Sequence, residues 1–252
     1  MNEFKHKLAS GQKLYGLWLG SASGYMAQIA AQAGYDWCLI DGEHAPNTIA
    51  SMQEQLVALE CFGASPIVRI LNKEVHLVKQ ALDIGAQTLL VPMVDTREQA
   101  ELMAQAVRYP PEGVRGVGGY IIRAARWGAI PEYQQIAEKS LCLILQCESK
   151  EGLENLDSIL QVSGVDSVFI GPADLSASLG FASMREAGFQ RIWFDALRRI
   201  KAAGKYAGTL ALDEELARAA FMAGADYIGV CVDVMCYLKG LKDTLAAHKA
   251  RN

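Results

Sequence analysis

The chain has 252 residues, of which 51% are hydrophobic and 21% charged, and this balance fits one globular domain with a single large core. The formal net charge of −4 is spread along the sequence without a basic run, which argues against a nucleic-acid partner. The first residues do not form an apolar secretory leader, and no apolar run approaches the roughly 18 residues of a membrane span. We therefore predict a cytoplasmic protein without a membrane contact.

Eight short apolar or β-branched runs have the length and composition of β-strands. In chain order they cover residues 14–19, 37–40, 66–70, 88–91, 141–147, 167–170, 206–210 and 227–232. Stretches with helical periodicity alternate with them, at residues 26–33, 48–59, 74–82, 97–107, 152–160, 189–203, 214–223 and 234–249. This alternation predicts a single-domain (β/α)8 TIM barrel over residues 1–252, in which the carboxyl ends of the strands converge on one mouth.

Two parts of the chain depart from the simple alternation. Residues 108–131 contain three prolines, several glycines and the arginines Arg115, Arg123 and Arg126, which predicts a long functional loop. The last helix could close the barrel or pack on a neighbouring subunit, and the sequence leaves both possibilities open. The six cysteines form no Cys-x-x-Cys pair, and four lie in or beside apolar strand-like runs, which indicates buried thiols.

Polar side chains collect at the carboxyl ends of four predicted strands. They are Asp41 and His44 after the second strand, Arg69 on the third, Gln146 and Glu148 at the end of the fifth, and Asp174 after the sixth. The two-residue period of a strand puts Gln146 and Glu148 on the same face. Glu148 and Asp174 on neighbouring strand ends predict a site for a hard divalent cation, which prefers oxygen ligands.

His44 lies in the loop beyond the second strand, where an imidazole that titrates near neutral pH could serve as a general base. The alternative is that His44 only caps the helix that begins near Thr48. In the same loop, we expect Glu43 to face solvent and Asp41 to orient the loop through backbone hydrogen bonds.

Arg69 and Asp83 are charged residues in unusual places. Arg69 interrupts a barrel strand, so its guanidinium must reach the mouth or a buried acid, and its planar fork suits a carboxylate or enolate oxygen. Asp83 ends a predicted helix, where the helix dipole disfavours an acid by several tenths of a kcal/mol. Asp83 could be a solvated surface acid, or it could hydrogen-bond His44 and raise its basicity.

Two common chemistries are disfavoured by the positions of lysine and glycine. The lysines fall in loops, on helices or at the start of strands, so none is placed in the barrel mouth for Schiff-base chemistry. The glycines form no strand–turn–helix dinucleotide fingerprint, so we expect no nicotinamide cofactor.

With these residues in place, the chain resembles the HpcH/HpaI aldolase family of metal-dependent class II pyruvate aldolases. The resemblance is carried by Gly16-Leu17-Trp18, Leu39-Ile40-Asp41-Gly42-Glu43-His44, Leu89-Leu90-Val91-Pro92-Met93, Tyr109-Pro110-Pro111, Gly113-Val114-Arg115-Gly116, Gln146-Cys147-Glu148 and Phe169-Ile170-Gly171-Pro172-Ala173-Asp174-Leu175-Ser176. It runs from about residue 11 to the C-terminal region and is dense up to about Gly180.

The resemblance implies a (β/α)8 barrel assembled as a homohexamer, a trimer of dimers, with the last helix exchanged between subunits. It implies Glu148 and Asp174 as ligands of Mg²⁺, Mn²⁺ or Co²⁺, His44 as the base, Asp83 as its support and Arg69 as the cation that stabilises an enolate. Gln146 and the backbone of Gly171, Pro172, Ala173 and Asp174 would hold the pyruvate moiety. The chain departs from the family at Cys147 and around residues 231–235, positions that bear on aldehyde specificity and subunit contacts.

The expected reaction is the reversible aldol cleavage of 4-hydroxy-2-oxo acids to an aldehyde and pyruvate or hydroxypyruvate. An alternative is an acyl-CoA lyase or decarboxylase that uses the same enolate site. A third possibility is a protein that binds small oxo acids without turnover. The identity of the aldehyde depends on loop geometry and stays open.

Overall fold

The computed structural model describes residues 2–250, and its eight parallel strands form a closed barrel in chain order. The strands are β1 Leu14–Leu19, β2 Trp37–Asp41, β3 Ser65–Arg69, β4 Thr88–Val91, β5 Cys142–Cys147, β6 Ser167–Ile170, β7 Tyr206–Leu210 and β8 Tyr227–Val232. Strand β8 pairs with β1 and closes the ring. The prediction of a (β/α)8 barrel is confirmed, and each predicted strand end lies within one residue of the observed one.

Twelve α-helices accompany the strands in the described part of the chain. They are α1 Glu3–Ala9, α2 Gly24–Ala31, α3 Ile49–Leu59, α4 Val75–Asp83, α5 Arg97–Ala106, α6 Tyr133–Ala137, α7 Lys150–Glu154, α8 Leu156–Leu160, α9 Pro172–Ser178, α10 Ala187–Ala202, α11 Glu214–Met222 and α12 Asp233–Lys249. The helix predicted over residues 152–160 is two helices that meet at Asn155. The short helices α1, α6 and α9 were not predicted, because seven residues or fewer carry too little periodicity.

The inside of the barrel is filled by large aromatic side chains, including Trp37, Phe169 and Tyr227. Two glycines on the strands make room for them. A Cβ atom at Gly16 would lie 2.0 Å from the Trp37 ring, and one at Gly208 would lie 2.1 Å from the Tyr227 ring. The interior is therefore a packed core and not a channel. A second apolar core lies between the barrel and the surrounding helices.

Helix α1 closes the end of the barrel where the strands begin, which we call the bottom. Phe4 packs edge-on against Tyr227, with ring centroids 5.1 Å apart. The Asn2 side-chain amide donates to the carbonyl oxygens of Gln87, at 3.0 Å, and Ser140, at 3.1 Å, just before strands β4 and β5. Because the bottom is sealed, the site must be sought at the opposite end, the mouth.

Residues 108–131 form the predicted long loop, which contains two 3₁₀-helical segments. Its Arg123 donates to the carbonyl oxygen of Ile84, 3.0 Å away, at the end of α4. Tyr120 and Ile121 each expose more than four-fifths of their surface. The loop is thus fixed at its base and presents apolar side chains outward.

Helix α12 does not cover the barrel of its own chain. Of its residues, all of which the structure describes, only Asp233 is buried. Its exposed apolar residues are Val234, Met235, Tyr237, Leu238, Leu241 and Leu245. Among residues 2–250, no helix is both long and apolar enough to cross a membrane.

All six cysteines are free thiols. Cys38, Cys142 and Cys147 are buried, as the sequence predicted. Cys231, which lies on a strand and was expected to be buried, is only half-buried, while Cys61 and Cys236 are exposed.

Candidate active site

Asp41 and Arg69 form a buried ion pair at the mouth. They are register partners at the carboxyl ends of β2 and β3. Arg69 Nε lies 2.9 Å from Asp41 Oδ1 and Arg69 Nη2 lies 2.6 Å from Asp41 Oδ2, so the contact is bidentate. Burial alone would raise the pKa of Asp41, but the hydrogen bond and charge of Arg69 hold it below its usual value. The pair fixes the guanidinium at the mouth and leaves Asp41 ionised.

Glu43 is a second acid on the same arginine. The prediction that Glu43 faces solvent is wrong, because its side chain is only 14% exposed and its Oε2 lies 2.7 Å from Arg69 Nη1. The loop after β2 turns back over the barrel, so a residue two positions beyond the strand points inward. Burial raises the pKa of Glu43, and the charge of Arg69 opposes this shift.

Asp41 also holds the loop that carries His44. Its Oδ1 accepts hydrogen bonds from the backbone N–H groups of Glu43, at 2.9 Å, and His44, at 3.3 Å, which confirms the predicted role. The His44 side chain is 67% exposed, with Nε2 at 4.0 Å from Glu43 Oε1. Helix α3 is capped by Thr48 itself, so the alternative that His44 caps this helix is wrong. The imidazole stands free at the mouth.

Glu148 is buried at the mouth, and only 2% of its surface is exposed. Its Oε1 accepts a hydrogen bond from the backbone N–H of Met93 at 3.0 Å, and Gln146 Nε2 donates to its Oε2. This contact confirms that Gln146 and Glu148 share one face of β5. Burial raises the pKa of Glu148 to about 7, and the charges of Glu43 and Asp174 add to the effect while the Gln146 hydrogen bond opposes it.

Gly171, after β6, lets the chain pass close to this carboxylate. A Cβ atom at Gly171 would lie 2.6 Å from Glu148 Oε2, so any larger residue would displace the glutamate. Pro172 occupies the first turn of α9, where its missing N–H is not needed. Asp174 follows in the same turn and is exposed at the mouth. Asp174 therefore stands at the end of β6, beside Glu148 at the end of β5.

Asp83 lies at the other end of the molecule from His44. Helix α4 runs back from the mouth and ends at Asp83 near the bottom, so the predicted hydrogen bond to His44 does not form within the described chain. Asp83 Oδ1 accepts instead from Arg115 Nη2 at 3.1 Å, and it is not a solvated acid, since its side chain is only 22% exposed. The compensating charge comes from buried Arg115, which stacks 4.5 Å from the Tyr109 ring.

Comparison with known proteins decides the family. The model of the HpcH/HpaI aldolase/citrate lyase family matches residues 14–239. The chain belongs to this family. HpcH/HpaI relatives named 2-keto-3-deoxy-L-rhamnonate aldolase occur in Salmonella gallinarum (strain 287/91 / NCTC 13346) and Salmonella newport (strain SL254). Each is 53% identical over 252 residues, covering 99% of this chain and 94% of the relative.

Solved structures agree with this HpcH/HpaI assignment. A family protein from Burkholderia cenocepacia J2315 superposes with a TM-score of 0.94 at 37% identity over 100% of both chains. The citrate synthase SbnG superposes with a TM-score of 0.88 at 26% identity, over 100% of this chain and 99% of that chain. Because the close relatives are named as aldolases, the chain is an enzyme of a carbon–carbon lyase family, as predicted.

HpcH/HpaI class II aldolases generally depend on a divalent cation, and the mouth fits one. Glu148 and Asp174 offer hard oxygen ligands, Glu43 adds negative charge, and the buried Gln146 Oε1 has no hydrogen-bond partner. Within the described chain, no group of three or more histidine, cysteine, aspartate and glutamate side chains stands in a metal-binding arrangement. Two carboxylates suffice when water and substrate supply the remaining ligands.

Two mouth residues were missed in the sequence. Trp18 places its ring 5.3 Å from the Arg69 guanidinium, which is cation–π contact. Asp233 is buried just after β8 and accepts from the backbone N–H groups of Gly20, at 2.8 Å, and Ser21, at 3.2 Å. It thereby clamps the loop after β1. An acid directly after a strand, the signal that identified Asp41, could have identified Asp233.

Proposed function

We propose that this HpcH/HpaI enzyme is a divalent-cation-dependent class II aldolase that cleaves and forms 4-hydroxy-2-oxo acids. The observation that carries the proposal is the position of buried Glu148, cradled by Gln146 and Gly171, on the barrel end that also holds the Arg69–Asp41 pair. A buried acid and a fixed guanidinium at one mouth suit a reaction that builds negative charge on a small oxo acid.

Glu148 and Asp174 would hold the cation, with Mg²⁺, Mn²⁺ or Co²⁺ as candidates. When bound, the cation supplies Lewis-acid polarisation of the 2-oxo group. Glu148 is suited to this task because burial and two nearby acids leave its negative charge uncompensated within the chain. A carboxylate in that setting gains more from a cation than a solvated one does.

The oxo-acid moiety, pyruvate or hydroxypyruvate, would bind between Gln146 and the first turn of α9. The free Gln146 Oε1 and the backbone of Gly171, Pro172, Ala173 and Asp174 border this space. The first N–H groups of a helix have no acceptor within the helix and favour negative charge, so they suit the substrate carboxylate.

Arg69 would stabilise the oxygen on which enolate charge develops. Its guanidinium is held by Asp41 and Glu43, so it needs no reorganisation when that charge appears. His44, exposed beside it, would take the proton of the 4-hydroxyl in the cleavage direction and return a proton to the three-carbon product.

Asp83 can support His44 only from a second copy of the chain, because within one chain the two residues lie at opposite ends of the barrel. We therefore propose that the active form is a homohexamer, a trimer of dimers, in which the bottom of one barrel meets the mouth of another. The apolar residues left exposed on α12 are consistent with exchange of this helix between subunits. Light scattering measures the oligomeric state of the enzyme under assay conditions. A monomer that is active would remove Asp83 from the mechanism.

For the substrate, we propose a 2-keto-3-deoxy sugar acid, in line with the names of the relatives that are 53% identical. Such an acid carries a 2-oxo group, a methylene at C3 and a hydroxyl at C4, which is the arrangement that retro-aldol cleavage requires. Cleavage of 2-keto-3-deoxy-L-rhamnonate would release pyruvate and lactaldehyde.

The test is pyruvate release from 2-keto-3-deoxy-L-rhamnonate before and after chelation, followed by addition of Mn²⁺, Co²⁺ or Mg²⁺. We expect activity to disappear with the chelator and to return with at least one cation. Full activity in excess chelator would refute the cation dependence. Faster cleavage of a β-hydroxyacyl-CoA would favour the acyl-CoA lyase alternative, and oxo-acid binding without turnover under all conditions would favour a binding protein.

A further inference from the structure

The junction between β8 and α12 brings two cysteines together. Cys231 is the second-last residue of β8, and Cys236 lies in the first turn of α12. Their Sγ atoms are 2.7 Å apart. Neither residue belongs to the site described above, and the other exposed thiol, Cys61, lies in the loop after α3.

The local fold fixes this proximity. Asp233, between the two cysteines, is anchored to the backbone of Gly20 and Ser21 and also accepts from the Val234 N–H at 2.7 Å. This anchor sets where α12 begins and returns Cys236 over the end of β8. Two sulfur atoms at this separation need to move by less than about 1 Å to reach the 2.03–2.05 Å of a disulfide bond.

We propose that Cys231 and Cys236 form a reversible dithiol–disulfide pair that is oxidised by low-molecular-weight disulfides such as glutathione disulfide. The Cys236 thiolate attacks the small disulfide, forms a mixed disulfide and expels one glutathione thiolate. The Cys231 thiolate then attacks Cys236 Sγ, closes the intrachain bond and expels the second. The two protein thiols lose two protons, the two glutathione thiolates take them up, and two electrons pass from the protein to glutathione disulfide.

Exposure assigns the two roles. Within one chain Cys236 is exposed, so a dissolved disulfide reaches it first, whereas Cys231 is half-buried and is placed to resolve the mixed disulfide. The hydrogen bond with Cys231, followed by burial, raises the pKa of Cys236 to about 11. Cys236 is thus a thiol at neutral pH, and the reaction should accelerate as the pH rises toward 9.

The bond would tie α12 to the barrel. It would enclose residues 232–235, so the first turn of α12 could no longer open away from β8. All residues of α12 beyond Asp233 are partly or fully exposed within the chain. The disulfide would therefore add a covalent link to the hydrogen bonds of Asp233 that anchor the start of α12. We expect slower amide hydrogen exchange in the oxidised first turn of α12.

The experiment incubates the full chain with glutathione disulfide at pH 7 and pH 9, and then counts thiols in denaturant. In Cys61→Ser, which lacks the other exposed thiol, we expect the free thiols to fall from five to three, and to return to five with a reductant. Trypsin leaves both cysteines on one peptide, residues 219–239, because no lysine or arginine lies between Arg218 and Lys239. That peptide should lose two hydrogen atoms in mass, resist alkylation, and exchange its amide hydrogens more slowly in the oxidised chain.

Three variants make the result decisive. Cys61→Ser should keep the internal disulfide, because Cys61 is not its partner. Cys236→Ser changes only an exposed thiol and should abolish the bond, whereas Cys231→Ser should trap glutathione on Cys236. A stable glutathione adduct on Cys236 in the unmutated chain, a link to Cys61, or an unmodified 219–239 peptide at pH 9 would overturn the proposal. Unchanged hydrogen exchange in an oxidised chain would refute the tether.

Discussion

The two ends of the barrel differ in the side chains they bury: the bottom buries an aromatic ring and a hydrogen-bonded amide, and the mouth buries charged groups. The bottom is closed by α1, where Phe4 packs on Tyr227 and the Asn2 amide is satisfied by backbone carbonyl groups. The mouth instead gathers acids around one guanidinium, and burial raises the pKa of Glu148 to about 7. One end thus stabilises the fold, while the other keeps charges out of water at a cost in stability.

The contrast shows how an enzyme of this fold separates stability from chemistry. Substitutions at the bottom, other than at Asp83 with its proposed role toward His44 of another subunit, should change the free energy of unfolding without changing turnover. Substitutions at the mouth should change turnover with little effect on the free energy of unfolding. Where a buried ion pair loses one partner, both quantities should change.

Glu148→Gln should have the largest effect on activity. It removes a proposed cation ligand, so cation affinity should fall by more than the roughly 10 to 100-fold that outer partners of a ligand contribute. The free energy of unfolding of the cation-free protein should stay equal or rise, because a carboxylate that is 2% exposed is replaced by a neutral amide. Cation titration and urea unfolding measure the two effects. Wild-type cation affinity would exclude Glu148 as a ligand.

Arg69→Ala should lower kcat by about 10² to 10³, because a preorganised cation is lost. It should also lower the free energy of unfolding by about 3–5 kcal/mol, since Asp41 and Glu43 remain buried without their partner. Arg69→Lys is the matched control, because it keeps the charge but not the bidentate contact, and should restore stability more than turnover. Steady-state kinetics measure kcat, and urea unfolding measures the free energy of unfolding. Turnover near that of the wild type in Arg69→Ala would remove Arg69 from the mechanism.

Asp233→Asn tests the clamp on the loop after β1. Hydrogen bonds to a charged acceptor are worth about 1.5–3 kcal/mol, so we expect KM to rise about tenfold or more while kcat changes little. Asp166→Asn is the matched change at the bottom, where Asp166 accepts from the Leu143 N–H at 2.9 Å. That control should lower stability and leave KM unchanged. Equal effects of the two variants on KM would contradict a special role for Asp233.

Phe4→Ala should have the smallest effect on catalysis. Removing a buried phenyl ring costs about 3–5 kcal/mol of stability, but the cavity lies at the end of the barrel away from the mouth. We expect kcat and KM near the wild-type values at temperatures well below the melting transition. A large loss of kcat in fully folded protein would show that the two ends are coupled.

The sequence predicted the strands to within one residue because each is a short apolar run with clear breaks, and polar residues at their ends marked the mouth. It failed where partners come from distant segments. The side chain of Glu43 turns inward because Arg69, on another strand, receives it. Asp83 pairs with Arg115, 32 residues away, which no local pattern indicates. Helices α1 and α9, with seven residues each, are too short for periodicity to reveal.

The contacts of Asp41 limit how this mouth can be redesigned. One carboxylate orients Arg69 and, through two backbone N–H groups, the loop that bears His44. A change at any of these positions alters the setting of the others, so their effects will not be additive. Libraries aimed at new aldehyde specificities should therefore hold positions 41, 43 and 69 fixed and vary residues outside this cluster.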